Sequence, residues 1–280
     1  MNSAHTAGPV VVGIDGSETA LDAVRFAVQE ARGRGTSLRL IHVIAGHDEP
    51  ETVYGAPDVD GDYARAALSR AAHVAASIDP AIAVESVVAH GRPESVMSTE
   101  AGSASLLVLG TTTGSAVTAW VLGSMVGAVV EASPNPVAIV RHFDAERRGP
   151  VVAALGDADI SQADVVVAQA FHEASIRSAS VLAVHTQAVS SILASALSRP
   201  GDGLHPESAM DVRLEPFGAD YPDVRVASVY AEADSGSELV AVSETAQLMV
   251  VGHERDRVPG RTLTAVLRHA HCPVLVVPHA

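Results

Sequence analysis

The sequence predicts an α/β chain: an open, mostly parallel five-stranded sheet with helices on both faces, occurring twice in tandem. Two observations predict it. Runs such as "VVV" at 10–12 and "LLVL" at 106–109 lack the polar alternation of a half-exposed strand. That fits strands of a parallel sheet covered on both faces by helices. The second observation is an internal repeat. "PVVVGIDGS" from Pro9 returns as "PVVAALGDA" from Pro150, and "LRLIHV" ending at Val43 returns as "ASVLAVHT" ending at Thr186. "LLVLG" ending at Gly110 returns as "LMVVG" ending at Gly252, and "SPNPVAIV" ending at Val140 as "AHCPVLVV" ending at Val277. The order, spacing and punctuation match, which chance in a Val/Ala-rich chain explains poorly.

Each element of the first half has a local reason. Val10–Ile14 is a short apolar strand, and Asp15-Gly16-Ser17 turns the chain. Ser17 caps a helix running to about Arg32, with Leu21, Val24 and Val28 on one side. Gly33 and Gly35 stop it. Leu38–Ile44 is the second strand, followed by a loop holding Pro50 and Pro57. An Ala-rich helix spans 63–78, a strand 82–89, a short helix 93–101 and a fourth strand 106–109. A helix over 116–131 and a last strand, Val137–Val140, complete the half. The boundary lies in "FDAERRGP" between Phe143 and Pro150, giving domains 1–146 and 147–280. The second half has a longer excursion near 198–206, with Gly201 and Gly203, expected to be a mobile loop.

Bulk properties exclude several functions. The chain has 280 residues, enough for two ordinary domains, and is 48% hydrophobic, enough for sizeable cores. Its formal charge is −15, it contains no Lys, and no basic cluster offers a nucleic-acid face. The single cysteine, Cys272, excludes an intramolecular disulfide and a cysteine-rich metal site. His269 and His271 are too little for a zinc site. "MNSAHTAGP" lacks the charged head and apolar stretch of a signal peptide, and no apolar run spans a bilayer. A cytoplasmic protein without a membrane partner is expected.

Ligands of open parallel sheets sit beyond the carboxyl ends of the strands. Asp15, Val43 and Gly110 end strands one, two and four, so they belong to one edge. The strand-to-helix loop after Gly110, "GTTTGSAVTAWVLGS", offers backbone N–H groups and small residues that let phosphates approach.

These residues resemble the universal stress proteins, here as a tandem pair covering nearly the whole chain. Nucleotide-binding members show glycine, two residues, glycine, nine residues, then glycine and serine or threonine. Gly110 fills the first position, and Gly123 and Ser124 fill the last two at the family spacing. The middle position falls on Thr113, with Gly114 one residue late; either Thr113 takes it, or the loop shifts so that Gly114 makes the turn. Asp15 in "GIDGS", His42-Val43, Gly91-Arg92-Pro93 and "SPNPVAIV" match further family segments. Asn135 stands where the family usually has the cysteine that the second half keeps as Cys272.

The resemblance implies an adenine-nucleotide alpha-hydrolase-like fold, ATP as ligand, and Mg²⁺ with it. The implied site residues are Gly13, Asp15, Val43, Gly110, Thr111, Thr112, Thr113, Gly114, Gly123, Ser124, Met125 and Val126. Val43 would face the adenine, Asp15 a ribose hydroxyl or phosphate-bound metal, and the glycines and Ser124 the phosphates. Catalysis is not expected: without Lys a Walker-type lysine is impossible, and Glu131 lies far down its helix. The expected role is an ATP-binding stress or regulatory protein with little or no hydrolysis. The alternatives are a slow metal-dependent ATPase or phosphotransferase, and a nucleotide-free structural or interaction protein.

The second half departs from the pattern. Gly156 stands for Asp15, Ala154 for Gly13 and Ala158 for Ser17, with Asp157 and Asp159 nearby in other registers. After Gly252 comes "HERDRVPGR", with bulky charged residues at 253–257. Gly260, the best match to Gly123, is followed by Arg261 and comes five residues early. The second domain is therefore expected to keep the fold and lose the ligand. The strand-forming runs "PVAIV" and "PVLVV" are expected to pair the two domains as an intrachain pseudo-dimer, because bare edges aggregate. A homo-oligomer, as a dimer of chains, is expected beyond that. The sequence names no protein partner.

Overall fold

A computed structural model describes residues 8–46, 58–111, 125–156, 160–186, 214–231 and 235–279. It divides into two compact units, Met1–Ala145 with Arg255–Val258, and Glu146–Glu254 with Pro259–Ala280.

The first unit carries β1 (Val10–Gly13), β2 (Leu38–Ile44), β3 (Val84–His90), β4 (Leu106–Gly110) and β5 (Val137–Val140). They lie in the order β3-β2-β1-β4-β5, every neighbour parallel. From β1 the chain steps outward through β2 and β3, then crosses back to β4 on the other side of β1. That reversal makes the gap between β1 and β4 the topological switch point. Helices α1 (Glu18–Arg34) and α2 (Val59–Ile78) pack on one another and on the sheet, and α3 (Pro93–Ser103) packs with the helix Gly127–Ala132. Val10, Val11, Val12, Leu106, Leu107 and Val108 are fully buried, as strands covered on both faces must be.

The second unit repeats the plan with β6 (Val151–Leu155), β7 (Val181–Thr186), β8 (Val226–Ala231), β9 (Leu248–Glu254) and β10 (Val274–His279). Its order is β8-β7-β6-β9-β10, again parallel. The expected α/β fold, duplicated in tandem, is what the structure has. No helix among the described residues is long and apolar enough to cross a membrane.

Some boundaries differ from expectation, each for a local reason. Gly33 does not stop α1. The helix runs to Arg34 and ends at Gly35, which takes the left-handed conformation (φ 63°) and donates back into the last turn. Helix α2 starts at Val59 rather than 63 because Asp58 caps it, accepting from the Gly61 N–H at 3.0 Å. Strand β3 starts at Val84 rather than 82, since Ile82 donates to the Asp79 carbonyl in a turn. Strand β9 continues past Gly252 through His253 and Glu254, paired with Pro278 and His279 of β10. The expected loops around Pro50–Pro57 and 198–206 lie outside the described residues.

Among the described residues, each unit buries an ion pair near the end of its first helix. Glu30, fully buried, accepts from Arg34 at 3.1 Å, and the Arg34 side chain is 6% exposed. Glu173, likewise fully buried, pairs with Arg177 and accepts from Gln169 Nε2 at 2.7 Å. Both glutamates lie five residues before the left-handed residue that ends the helix, Gly35 in one unit and Ser178 (φ 51°) in the other. The duplicated pair is thus part of the fold.

Candidate functional site

The first unit's site begins where β1 ends. In register, Gly13 pairs with Ile41 of β2 and with Leu109 of β4. Carried two residues further, the register sets Asp15 level with Val43 and Thr111 across three adjacent strands. Gly110 pairs with Val140, so Arg141, the next residue, stands level with Thr111 on the far side. Four strand ends therefore bring an acid, an apolar residue, a hydroxyl and a base to one edge at the switch point.

Asp15 is exposed, and its carboxylate is partly engaged. Oδ1 accepts from the Ser17 N–H at 2.9 Å and the Ser17 hydroxyl at 2.6 Å. Ser17, not Asp15, is the N-cap of α1, its Oγ accepting from the Ala20 N–H at 3.1 Å. Asp15 thus orients the capping residue, and both of these bonds fall on one carboxylate oxygen. Val43 is half-buried, and Thr111 is buried with its N–H donated to the Val140 carbonyl at 2.9 Å.

Two of the glycines have packing reasons. A Cβ at Gly110 would stand 2.5 Å from the Thr19 carbonyl oxygen and 2.8 Å from the Ala20 nitrogen. Only glycine lets β4 lie that close to the first turn of α1. A Cβ at Gly13 would stand 2.9 Å from Leu109 Cδ2 and 3.4 Å from Met97 Sδ. Met125 is half-buried and Val126 is 1% exposed, just before the helix Gly127–Ala132. Thr112, Thr113, Gly114, Gly123 and Ser124 lie outside the described residues, as does the start of the helix expected over 116–131. Gly91 has φ 134° and donates to the Ile44 carbonyl at 3.1 Å, so the β3–α3 turn requires glycine. Arg92 beside it is exposed and paired with Glu94 at 2.6 Å.

Two residues at this edge escaped the sequence reading. Arg141 is one: burial lowers its guanidinium to about 10, which leaves it charged at neutral pH. Only the β4–β5 register reveals it. Tyr63 is the other. It reaches from α2 to donate its hydroxyl to the Asp15 carbonyl at 3.0 Å. Its ring meets His42 edge-on at 5.8 Å. His42 is 9% exposed, and its Nδ1 has no hydrogen-bond partner among the described residues. The Tyr63–Asp15 hydrogen bond has no sequence signal, because 48 residues separate the two.

The second unit's edge differs. Leu155 pairs with His185, and Ala154 with Val251, so Gly156 falls level with Thr186 and His253. Pro278 pairs with His253 where Arg141 stands level with Thr111. His253 is 6% exposed, filling its position with a ring. Only residues 255–260 separate β9 from the helix Arg261–His269. This connection is shorter than the interval from Gly252 suggests, because His253 and Glu254 belong to the strand. Burial pushes the Cys272 thiol up to about 12, which keeps the chain's one thiol protonated at neutral pH. Among the described residues no group of three metal-ligating side chains converges.

Comparison with known proteins agrees with this duplication. The family model described as "Universal stress protein family" matches residues 7–141 and again 150–278, and the chain belongs to that family. Universal stress protein Rv2005c of Mycobacterium tuberculosis (strain ATCC 25618 / H37Rv) is 29% identical over 284 residues, covering 95% of this chain and 96% of its own. The crystal structure of a universal stress protein from Archaeoglobus fulgidus DSM 4304 superposes with a TM-score of 0.76 at 18% identity, covering 100% of this chain and 99% of its own. A universal stress protein crystallised in complex with cAMP is 26% identical, covering 48% of this chain and 98% of its own, with a TM-score of 0.39.

Proposed function

We propose that the first unit binds ATP with Mg²⁺ at the β1–β4 switch point and hydrolyses it little or not at all, while the second unit keeps the fold without a nucleotide. The chain would then act as a nucleotide-dependent stress or regulatory protein. The observation that carries this reading is the register: Asp15, Val43, Thr111 and Arg141 share one edge, and none has a like counterpart in the second unit.

The residues present suit the ligand. The exposed carboxylate of Asp15 keeps one oxygen clear of the Ser17 bonds, suited to a ribose hydroxyl or phosphate-bound Mg²⁺. Val43 gives adenine an apolar surface beside it. Arg141 adds positive charge to an edge that must face phosphates in a chain of net charge −15. Gly110, Gly123 and Ser124 supply the phosphate loop in this reading. Mg²⁺ would shield phosphate charge; the chain's own residues hold and orient the nucleotide.

The packing of Gly110 favours a second reading, a nucleotide-free interaction protein. Its contact with Thr19 and Ala20 explains the glycine without any phosphate. Equilibrium titration with ATP and Mg²⁺, against an independently measured protein concentration, separates the two. One nucleotide per chain is expected, with binding weakened by Asp15→Ala. Because Asp15 also orients the α1 cap, that variant should lose a little stability as well. No binding selects the second reading, and two equivalent sites overturn the assignment to one unit.

A further inference from the structure

Three features near Asp15 have no part in the nucleotide reading so far. Tyr63 is a tyrosine more than half exposed at the start of a helix, where a polar residue would serve solubility better. Its hydroxyl is committed to the Asp15 carbonyl. The residue under that hydroxyl is Gly16, with φ 87°, and a Cβ there would collide with the Tyr63 oxygen. Gly16 is thus glycine for two independent reasons, its backbone angle and the room that it leaves for Tyr63.

We propose that Tyr63 is a positioning residue of the nucleotide site: its hydroxyl, seated over Gly16, clamps the Asp15-Gly16-Ser17 turn and so aims the Asp15 carboxylate at the ligand. The proposal rests on the nucleotide-binding reading above. The turn is short and only partly buried, with a glycine at its centre, and so has conformational freedom to lose. Two contacts remove that freedom. The Asp15 side chain ties forward to Ser17, and the Asp15 carbonyl ties across to α2 through Tyr63. The ring is fixed in turn by its edge-on contact with buried His42, which sits beside Val43 on β2. The clamp therefore links the residue that would meet ribose or metal with the strand that would meet the base. In the second unit the corresponding ring contact is built otherwise: His185 of β7 meets Tyr230, which comes from strand β8 and not from a helix.

The test uses the full chain and the variant Tyr63→Phe, which keeps the ring against His42 and removes only the hydroxyl. Without nucleotide, amide exchange at Gly16 and Ser17 should quicken several-fold while exchange in β1 and β2 stays the same. ATP affinity should fall about three- to tenfold, the worth of one hydrogen bond. The decisive readout is a double-mutant cycle with Asp15→Ala. The Asp15 carbonyl survives that change, so a purely structural role for Tyr63 would cost the same in both backgrounds. A clamp that works by aiming the carboxylate predicts that Tyr63→Phe loses its effect on affinity once the carboxylate is gone. Equal loss in both backgrounds, or a wild-type affinity in Tyr63→Phe, overturns the proposal and leaves nucleotide binding standing. A wild-type chain that binds no ATP overturns the nucleotide reading and this proposal with it.

Discussion

At the strand ends of the first unit stand Val43, Asp15, Thr111 and Arg141; at those of the second stand Thr186, Gly156, His253 and Pro278. A few residues away the two units agree closely. Both have five parallel strands in the same order, and both end their first helix with a buried Glu–Arg pair and a left-handed residue. The comparison separates two kinds of demand on one fold. Sheet, register and helix docking are needed by both units and are retained in both. The edge beyond the sheet is where the two units differ, and the proposed nucleotide site accounts for that difference if only the first unit binds. A change there, such as β9 growing two residues past Gly252, even adds strand pairing.

The largest effect tests the shared part. Glu30→Met and Glu173→Met each remove a fully buried carboxylate from a nearly buried arginine. Each should cost stability, by up to about 3–5 kcal/mol, the scale for removing one member of a buried pair. Denaturant unfolding of each variant checks it, and similar losses are expected from the two. A large loss from one alone would break the equivalence of the two helices.

The next effect tests a difference hidden inside an alignment. Gly110 and Gly252 occupy matching positions, but their surroundings differ. A Cβ at Gly110 meets backbone, the Thr19 carbonyl and the Ala20 nitrogen, which cannot move without shifting α1. A Cβ at Gly252 meets side chains, Val166 Cγ2 at 3.0 Å and the His279 ring at 3.3 Å, which need give by only a few tenths of an ångström and involve no backbone. Gly110→Ala should therefore cost about 1–3 kcal/mol, and Gly252→Ala less than about 1 kcal/mol. Thermal or denaturant unfolding gives both values. Equal costs would show that α1 yields as readily as a side chain does.

How far the sequence could be read depended on distance along the chain. The strands were legible because burial on both faces writes an unbroken apolar run, as in Leu106–Leu109. The duplication was legible because turns and apolar blocks recur in order. Asp15, Val43 and Gly110 could be assigned to one edge from fold logic alone. What stayed hidden are relations fixed only by tertiary packing. Arg141 reads as one more surface arginine until the β4–β5 register sets it beside Thr111. Tyr63 reads as part of an Ala-rich helix until its hydroxyl is seen on the Asp15 carbonyl. Gly33 reads as a stop, yet α1 passes through it because Gly35 supplies the left-handed ending. Gly110 reads as a phosphate glycine, and its close approach to Thr19 adds a reason that no motif contains.

A smaller effect sharpens the helix endings. Gly35 (φ 63°) and Ser178 (φ 51°) do the same job, and only glycine does it without steric cost. Ser178→Gly should stabilise the chain, and Gly35→Ser should destabilise it, each by about 1 kcal/mol. Unfolding midpoints of the two variants should move in opposite directions. A fall for Ser178→Gly would mean that the serine side chain stabilises the turn by more than its backbone angle costs.

The smallest expected effect lies at Gly260, and its smallness is the point. In an alignment Gly260 answers to Gly123, the glycine expected against phosphate. In the structure it is the exposed N-cap of the helix Arg261–His269, with φ −65° and ψ 172°, angles open to any residue. A Cβ there would meet nothing within 4 Å. Gly260→Glu should therefore leave stability within about 0.5 kcal/mol of wild type. The added negative charge sits at a helix N-terminus, where the backbone dipole favours it. ATP affinity should not change, because the second unit is read as having no nucleotide. Gly123→Glu is the contrast. It puts bulk and negative charge where backbone should approach a phosphate, so its loss should exceed one hydrogen bond's worth, about 0.5–1.5 kcal/mol. Ser124→Ala removes a single hydroxyl and should stay within that range. Titration with ATP after circular dichroism has confirmed folding gives the order Gly123→Glu, Ser124→Ala, Gly260→Glu. If Gly260→Glu abolishes binding while a folded Gly123→Glu retains it, the nucleotide belongs to the second unit and the comparison of strand ends has been drawn the wrong way round.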